Sequence, residues 1–369
     1  MMWVVLLLSL LFLYFSKSKP VLFWFNVFNC VSILTFWLQY SFHVFNRFDG
    51  ISLLPGQVEI DNLKLLWYCI GITLINYSAS INSNINIYKQ KWEWSNLIVL
   101  ILSLPLTLPI LYFGEGKGFF WTTSLLLVPI VACYKLFYTS KSIFANVIIV
   151  TAAFLLLLLK SSKGVFVNFL CGIIVILLLK KNMLLSYFFI FILTIFSGVF
   201  LLWGINEQLG SDHNLLYIFE REYSFEVYLK VEETNLYFTY IIGEILDIIP
   251  SSILSIYGIP KLGNSRVLFA DFKLDYSGDI GYYIGSMTYI SLIPFFYSKI
   301  FYSLVLGLIL NVLSRISVKP EILGIVIFNM DFLFNGNFSY FFVECIVPII
   351  FYKIILFIVN LFKRLYVPI

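Results

Sequence analysis

The chain is a succession of apolar stretches, most of them close to the thickness of a bilayer, interrupted once by a long segment of different character. A helix that crosses the hydrocarbon core needs roughly 20 apolar residues, within a range of about 17–25. Candidates lie at residues 1–15, 20–44, 63–80, 97–113, 119–134, 143–159, 165–179 and 183–204, and then at 281–313, 322–334 and 338–362. The shorter ones borrow flanking residues. The expected fold is therefore an all-α polytopic membrane protein with about eleven transmembrane helices and one large extracytoplasmic loop at 205–280, a single integral membrane domain over residues 1–369. Composition agrees. Of the residues, 61% are hydrophobic and 12% charged, whereas a soluble domain carries about 25% charged residues. The 39 Phe suit lipid contact, and the 24 Tyr and 8 Trp suit the headgroup zone. A net charge of +4 is too weak to argue for nucleic acid.

Orientation follows from the basic residues. No basic residue precedes the first stretch, and Lys17 and Lys19 follow it. A cleavable signal peptide has the reverse pattern, so an uncleaved anchor with its N-terminus outside is expected. With that start, cytoplasmic connections hold Lys17, Lys19, Lys89, Lys91, Lys135, Lys141, Lys180, Lys181, Arg315, Lys319, Lys363 and Arg364. The short outer connections hold Arg47, Lys64, Lys117, Lys160 and Lys163. Twelve inside against five outside obeys the positive-inside rule. It puts the 205–280 loop outside and the C-terminus in the cytoplasm. The stretch 281–313 is long for one span and contains Pro294 and Lys299. Treating its first part as re-entrant or interfacial keeps Arg315 and Lys319 inside.

The loop holds twelve acidic residues against Arg221, Lys230, Lys261, Arg266, Lys273 and His213. Its middle, 241–259, is apolar but carries Glu244 and Asp247, three apart, on one helical face with isoleucines opposite. That pattern predicts a helix lying in the interface plane. The five cysteines all lie in apolar runs and read as small buried hydrophobes. Neither a CxxC pair nor a histidine cluster is present, so no metal site is expected. Glycine-rich nucleotide loops and the zinc-protease and serine-hydrolase motifs are also absent, and no cofactor is expected.

Several residues are candidates for chemistry. Lys163, in Ser161-Ser162-Lys163-Gly164 at the outer surface, is placed to meet lipid phosphates, or else to mark a helix end and snorkel to headgroups. Arg221, between Glu220 and Glu222, and Arg266, after Gly263-Asn264-Ser265, suit bidentate capture of a diphosphate. Arg221 has a local salt-bridge cluster as its alternative. Asp279 stands at the mouth of the ninth stretch, either as general base on a sugar hydroxyl or as a helix N-cap. His213 is a proton shuttle or simply a solvated side chain. Asp331 and Glu344 lie in or near apolar spans, where carboxylates suggest function.

The pattern from about Leu155 onward resembles the Wzy-type O-antigen polymerases. The Ser-Lys-Gly element at Ser162-Lys163-Gly164 is followed by two spans and a long outer loop. The prolines Pro250 and Pro260, the run Asp275-Tyr276-Ser277-Gly278-Asp279-Ile280-Gly281 and the turn Asn335-Gly336-Asn337-Phe338-Ser339-Tyr340 add to the likeness. Lys163 stands where that family prefers arginine, and glycine is absent eleven residues after both Arg221 and Arg266, where Glu232 and Ser277 stand. The resemblance implies glycosyl transfer at the periplasmic face of a bacterial inner membrane. The growing polysaccharide would leave undecaprenyl diphosphate and join a sugar hydroxyl of a fresh lipid-linked oligosaccharide repeat. Arg221, Arg266 and Lys163 would hold the departing diphosphate, and Asp279 or, second, His213 would take the acceptor's proton. Membrane lipids and a chain-length regulator protein would be partners. Two alternatives stay open: a flippase or transporter for the same lipid-linked sugars, and an O-antigen ligase. Two similar halves and charges buried within spans would mark the transporter.

Overall fold

The computed structural model describes residues 1–42, 61–81, 92–107, 124–158, 163–180, 188, 195, 225, 228–229, 231–249, 251–258, 285–334 and 338–366. Among these the chain is helical and contains no strand. Three helices are long and apolar enough to cross a membrane: Pro20–Leu38, Phe296–Ile316 and Phe338–Lys363. Shorter apolar helices accompany them.

The helices are α1 (Met2–Ser16), α2 (Pro20–Phe42), α3 (Asn62–Ser80), α4 (Trp94–Ser103, continued as a 3-10 turn over Leu104–Thr107), α5 (Leu127–Thr139), α6 (Ile143–Leu158) and α7 (Lys163–Leu179). After the long loop begins come α8 (Tyr237–Asp247), α9 (Ser251–Ile256), α10 (Thr288–Leu292), α11 (Phe296–Ile316), α12 (Pro320–Phe328), α13 (Met330–Phe334) and α14 (Phe338–Tyr366). Several boundaries have local causes. Asp61 caps α3, accepting from the Leu63 N–H at 2.8 Å. Pro20 and Pro320 open α2 and α12, where a missing N–H costs nothing.

Four expected stretches end differently. The helix expected over 241–259 is two, α8 and α9, because Pro250 has no N–H to donate and disfavours helical geometry in the residue before it. The 281–313 stretch is the five-residue α10 and the long α11, with Ile293 extended ahead of Pro294. The 322–334 stretch breaks at Asn329, whose amide donates to the Ile325 carbonyl at 3.1 Å and to the Glu344 carbonyl at 3.0 Å. The stretch expected at 119–134 is helical as α5, Leu127–Thr139, so Lys135 lies inside the helix rather than after it. All of the 183–204 stretch but 188 and 195, and most of 205–280, lie outside the described residues, as do 43–60 and 108–123.

The chain divides into two compact units, residues 1–84 with 205–315 and 330–341, and residues 85–204 with 316–329 and 342–369. The first holds a ladder of buried polar side chains on α1, α2 and α3. Asn26, Asn29, Ser32 and Thr35 recur every three residues along α2 and are fully buried. Asn26 donates to Ser16 Oγ at 3.1 Å and to Asn76 Oδ1 at 2.9 Å. Asn29 donates to Ser9 Oγ at 2.9 Å and accepts from the Tyr68 hydroxyl. In lipid, such bonds between helices contribute about 0.6 kcal/mol each on average. Gly307 of α11 sits so close to Ser78 and the Ile75 carbonyl of α3 that no side chain fits.

The second unit packs mainly through hydrocarbon. Tyr134, Phe137, Phe169, Ile173, Ile176, Ile325 and Phe328 form its centre with no exposure. Gly172 and Gly324 lie against the Tyr134 ring, where an added Cβ would overlap it.

The five cysteines form no disulfide, and all but Cys69 are buried. Among the described residues no group of His, Cys, Asp and Glu is arranged to hold a metal ion.

Candidate functional site

Arg221, His213, Arg266 and Asp279 lie outside the described residues, and so does Asn335-Gly336-Asn337. Lys163 opens α7, with its side chain outside what is described. What is described of this region includes residues 225, 228–229 and 231–236, which are held against helices of the first unit.

That seat is specific. The Phe225 N–H donates to Ser32 Oγ at 2.9 Å, and the Phe225 ring stands edge-on to Tyr68 at 4.8 Å. The Tyr228 hydroxyl donates to the Lys64 carbonyl at 2.8 Å. Lys64 Nζ in turn donates to the carbonyls of Leu229 and Val231, at 2.8 and 3.0 Å. From the other side, Ser291 Oγ donates to the Val231 carbonyl at 3.0 Å, and the Thr234 N–H to the Leu292 carbonyl at 2.9 Å. One more link is ionic. Lys299, near the start of α11, lies 2.7 Å from Glu233 and beneath the Trp67 ring face at 5.3 Å. The Lys299 side chain is 5% exposed and that of Glu233 is 48% exposed, so a buried cation anchors a half-exposed carboxylate.

Beyond the seat, α8 turns Glu244 inward. It is 4% exposed, and Oε2 stands 3.5 Å from the Ser339 N–H in the first turn of α14. Ile242 and Ile245 face outward instead. The carboxylate and the isoleucines do occupy different faces, but Glu244 is enclosed by protein. Its ring neighbours Tyr237 and Tyr240 pack with Val231, Tyr289, Leu292 and Tyr302.

No family model, curated protein or solved structure matches the chain. The chemistry of its own residues therefore carries the functional argument.

The second unit has its own polar centre. Glu321, 2% exposed in the first turn of α12, lies 3.0 Å from Lys353 and 3.8 Å from Lys135. Tyr352 donates to Asn96 Oδ1 at 2.8 Å. Lys180, just past α7, donates to the carbonyls of Phe137 and Ser140, at 2.6 and 2.9 Å, and burial lowers its ammonium pKa to about 8. It closes the last turn of α5, a favoured place for a cation.

Of the two carboxylates singled out in or near apolar spans, Glu344 is buried in α14 and Asp331 is half-buried in α13. Sequence reading missed the Glu321 triad and the Lys299–Glu233 pair. Lys353 within an otherwise apolar run was a signal, because a charge inside a span calls for a partner.

Proposed function

We propose that the chain is a polymerase of lipid-linked oligosaccharide repeat units, acting at the periplasmic face of the bacterial inner membrane. In this reading it is a multi-pass protein of about eleven helices, with its N-terminus outside and its 205–280 loop over the bilayer surface. The helical, apolar architecture of the described residues supports a membrane protein. The observation that carries the reading is the seat of the loop. Residues 225, 228–229 and 231–236 are fastened by backbone, hydroxyl and ionic contacts to α2, α3, α10 and α11. A connector needs no such fastening. A loop that must hold a reacting group against a membrane-bound donor does, since small misplacement of reacting groups costs orders of magnitude in rate.

Arg221 stands four residues before Phe225, the first of these anchors. With Arg266 and Lys163 it is proposed to hold the diphosphate that leaves, offsetting the charge that develops on it. The step breaks the bond from the polymer's anomeric carbon to the diphosphate oxygen. It forms a bond from that carbon to the acceptor sugar oxygen. The electron pair leaves with undecaprenyl diphosphate, and the acceptor's proton passes to a base, Asp279 first and His213 second. The same donor chemistry serves a ligase, with a different acceptor.

The test is the surface polysaccharide of a strain lacking the gene, run beside complemented wild-type and Arg221→Ala strains. Collapse of the ladder to a single repeat, rescued by wild type and not by Arg221→Ala, is the expected result. Loss of all repeats from the lipid A core points to a ligase or flippase. An unchanged ladder removes the reading.

A further inference from the structure

Buried hydroxyls in apolar helices ordinarily donate to a carbonyl one turn back. Ser78, Ser103, Thr139 and Ser303 all do so, at 2.8–3.0 Å. Ser286, in the turn ahead of α10, and Thr288, the first residue of α10, have no helical turn behind them to donate to. They are 1% and 0% exposed, and among the described residues neither hydroxyl oxygen has a hydrogen-bond partner. Each such group costs about 1–3 kcal/mol, and folding alone returns nothing for it. In the second unit Ser317 shares the condition, as a single residue.

Tyrosines pack around this turn. The Tyr302 hydroxyl donates to the Ser286 carbonyl at 2.9 Å. The Tyr302 and Tyr289 rings lie 6.0 Å apart and pack with Tyr240. Glu244, one turn past Tyr240 on α8, is buried. A carboxylate acceptor, hydroxyls that both donate and accept, and ring faces that take C–H surfaces are what a sugar needs to be bound out of water.

We infer that Glu244, Ser286, Thr288 and Tyr302 form a subsite for sugar hydroxyls of the lipid-linked repeat unit, walled by Tyr240 and Tyr289. The inference rests on the polymerase reading and names where that substrate's sugar is held. Ser286 follows Asp279 by seven residues, which ties the subsite in sequence to the proposed base.

The test compares the Ser286→Ala/Thr288→Val double variant and Glu244→Gln with wild type in the deletion strain, measuring polymer formation and the thermal midpoint of the purified protein. The double variant keeps shape and removes only orphan hydroxyls, so its midpoint stays equal or rises. Glu244→Gln keeps an oxygen for the Ser339 N–H. Polymer formation falls roughly tenfold in each, the effect of losing about 1.4 kcal/mol of binding. A normal ladder from both variants, beside a collapsed deletion lane, overturns the subsite and leaves the polymerase reading intact. A lowered midpoint in the double variant also overturns it, because its hydroxyls would then be serving the fold. A deletion lane with an unchanged ladder overturns the polymerase reading first.

Discussion

The two units solve the problem of polar groups in a lipid-facing protein in different ways. The first, beside its Lys299–Glu233 pair and buried Glu244, spreads neutral polar side chains along a ladder: Ser16, Asn26 and Asn76, then Ser9, Asn29 and Tyr68, then Ser32 with the Phe225 N–H. Each rung of the ladder has a neighbour able to take up part of its load. The second unit sets a buried ion triad, Glu321 between Lys135 and Lys353, in a core packed largely through rings, branched aliphatics and glycines. A distributed network tolerates the loss of one member. A buried ion triad does not, because removing its only carboxylate leaves a cation with nothing to balance it. The difference also matters for function. The unit that seats the loop is the one stitched by directional bonds, which fix register more tightly than hydrocarbon contact does.

Two substitutions sharpen or break this comparison. Glu321→Ala has the larger expected effect: Lys135, 11% exposed, loses its partner, and stability falls by about 3 kcal/mol in a denaturant titration of the protein in mixed micelles. A loss below about 1 kcal/mol would mean that the triad is solvated in the bilayer-bound protein and that the units do not differ as described. Asn76→Leu comes second. It removes one rung, but Asn26 keeps Ser16 and the Phe12 carbonyl, so the loss is about 1 kcal/mol in the same titration. A loss as large as that of Glu321→Ala would show that the ladder acts as a single cooperative unit.

Much of the architecture is legible in the sequence, and what is not has identifiable causes. The helices opening at Pro20, Asn62, Ile143, Lys163 and Phe338 follow apolar runs with polar or proline starts, so length and hydropathy are enough. The break at Asn329 is hidden because apolar residues continue on both sides, and only the fold reveals the amide returning to Ile325 and Glu344. Lys135 looks like the end of a span because its partner Glu321 is 186 residues away in the chain. Glu244 and Asp247 are visible as a helical pair, but the burial of Glu244 against the Ser339 N–H depends on an element far along the chain. The orphan hydroxyls of Ser286 and Thr288 had no sequence signal, since most buried Ser and Thr look the same and are satisfied locally. The expected diphosphate ligands Arg221, Arg266 and Lys163 and the expected bases Asp279 and His213 rest on residue chemistry and resemblance.

The central claim is that this chain itself joins lipid-linked repeats. Its most direct test is the purified protein in liposomes supplied only with undecaprenyl-diphosphate-linked repeat units. The account predicts products of two, three and more repeats, with undecaprenyl diphosphate released in step with each bond formed. Repeat units that cross the bilayer, or remain where they are, without ever being joined would contradict it.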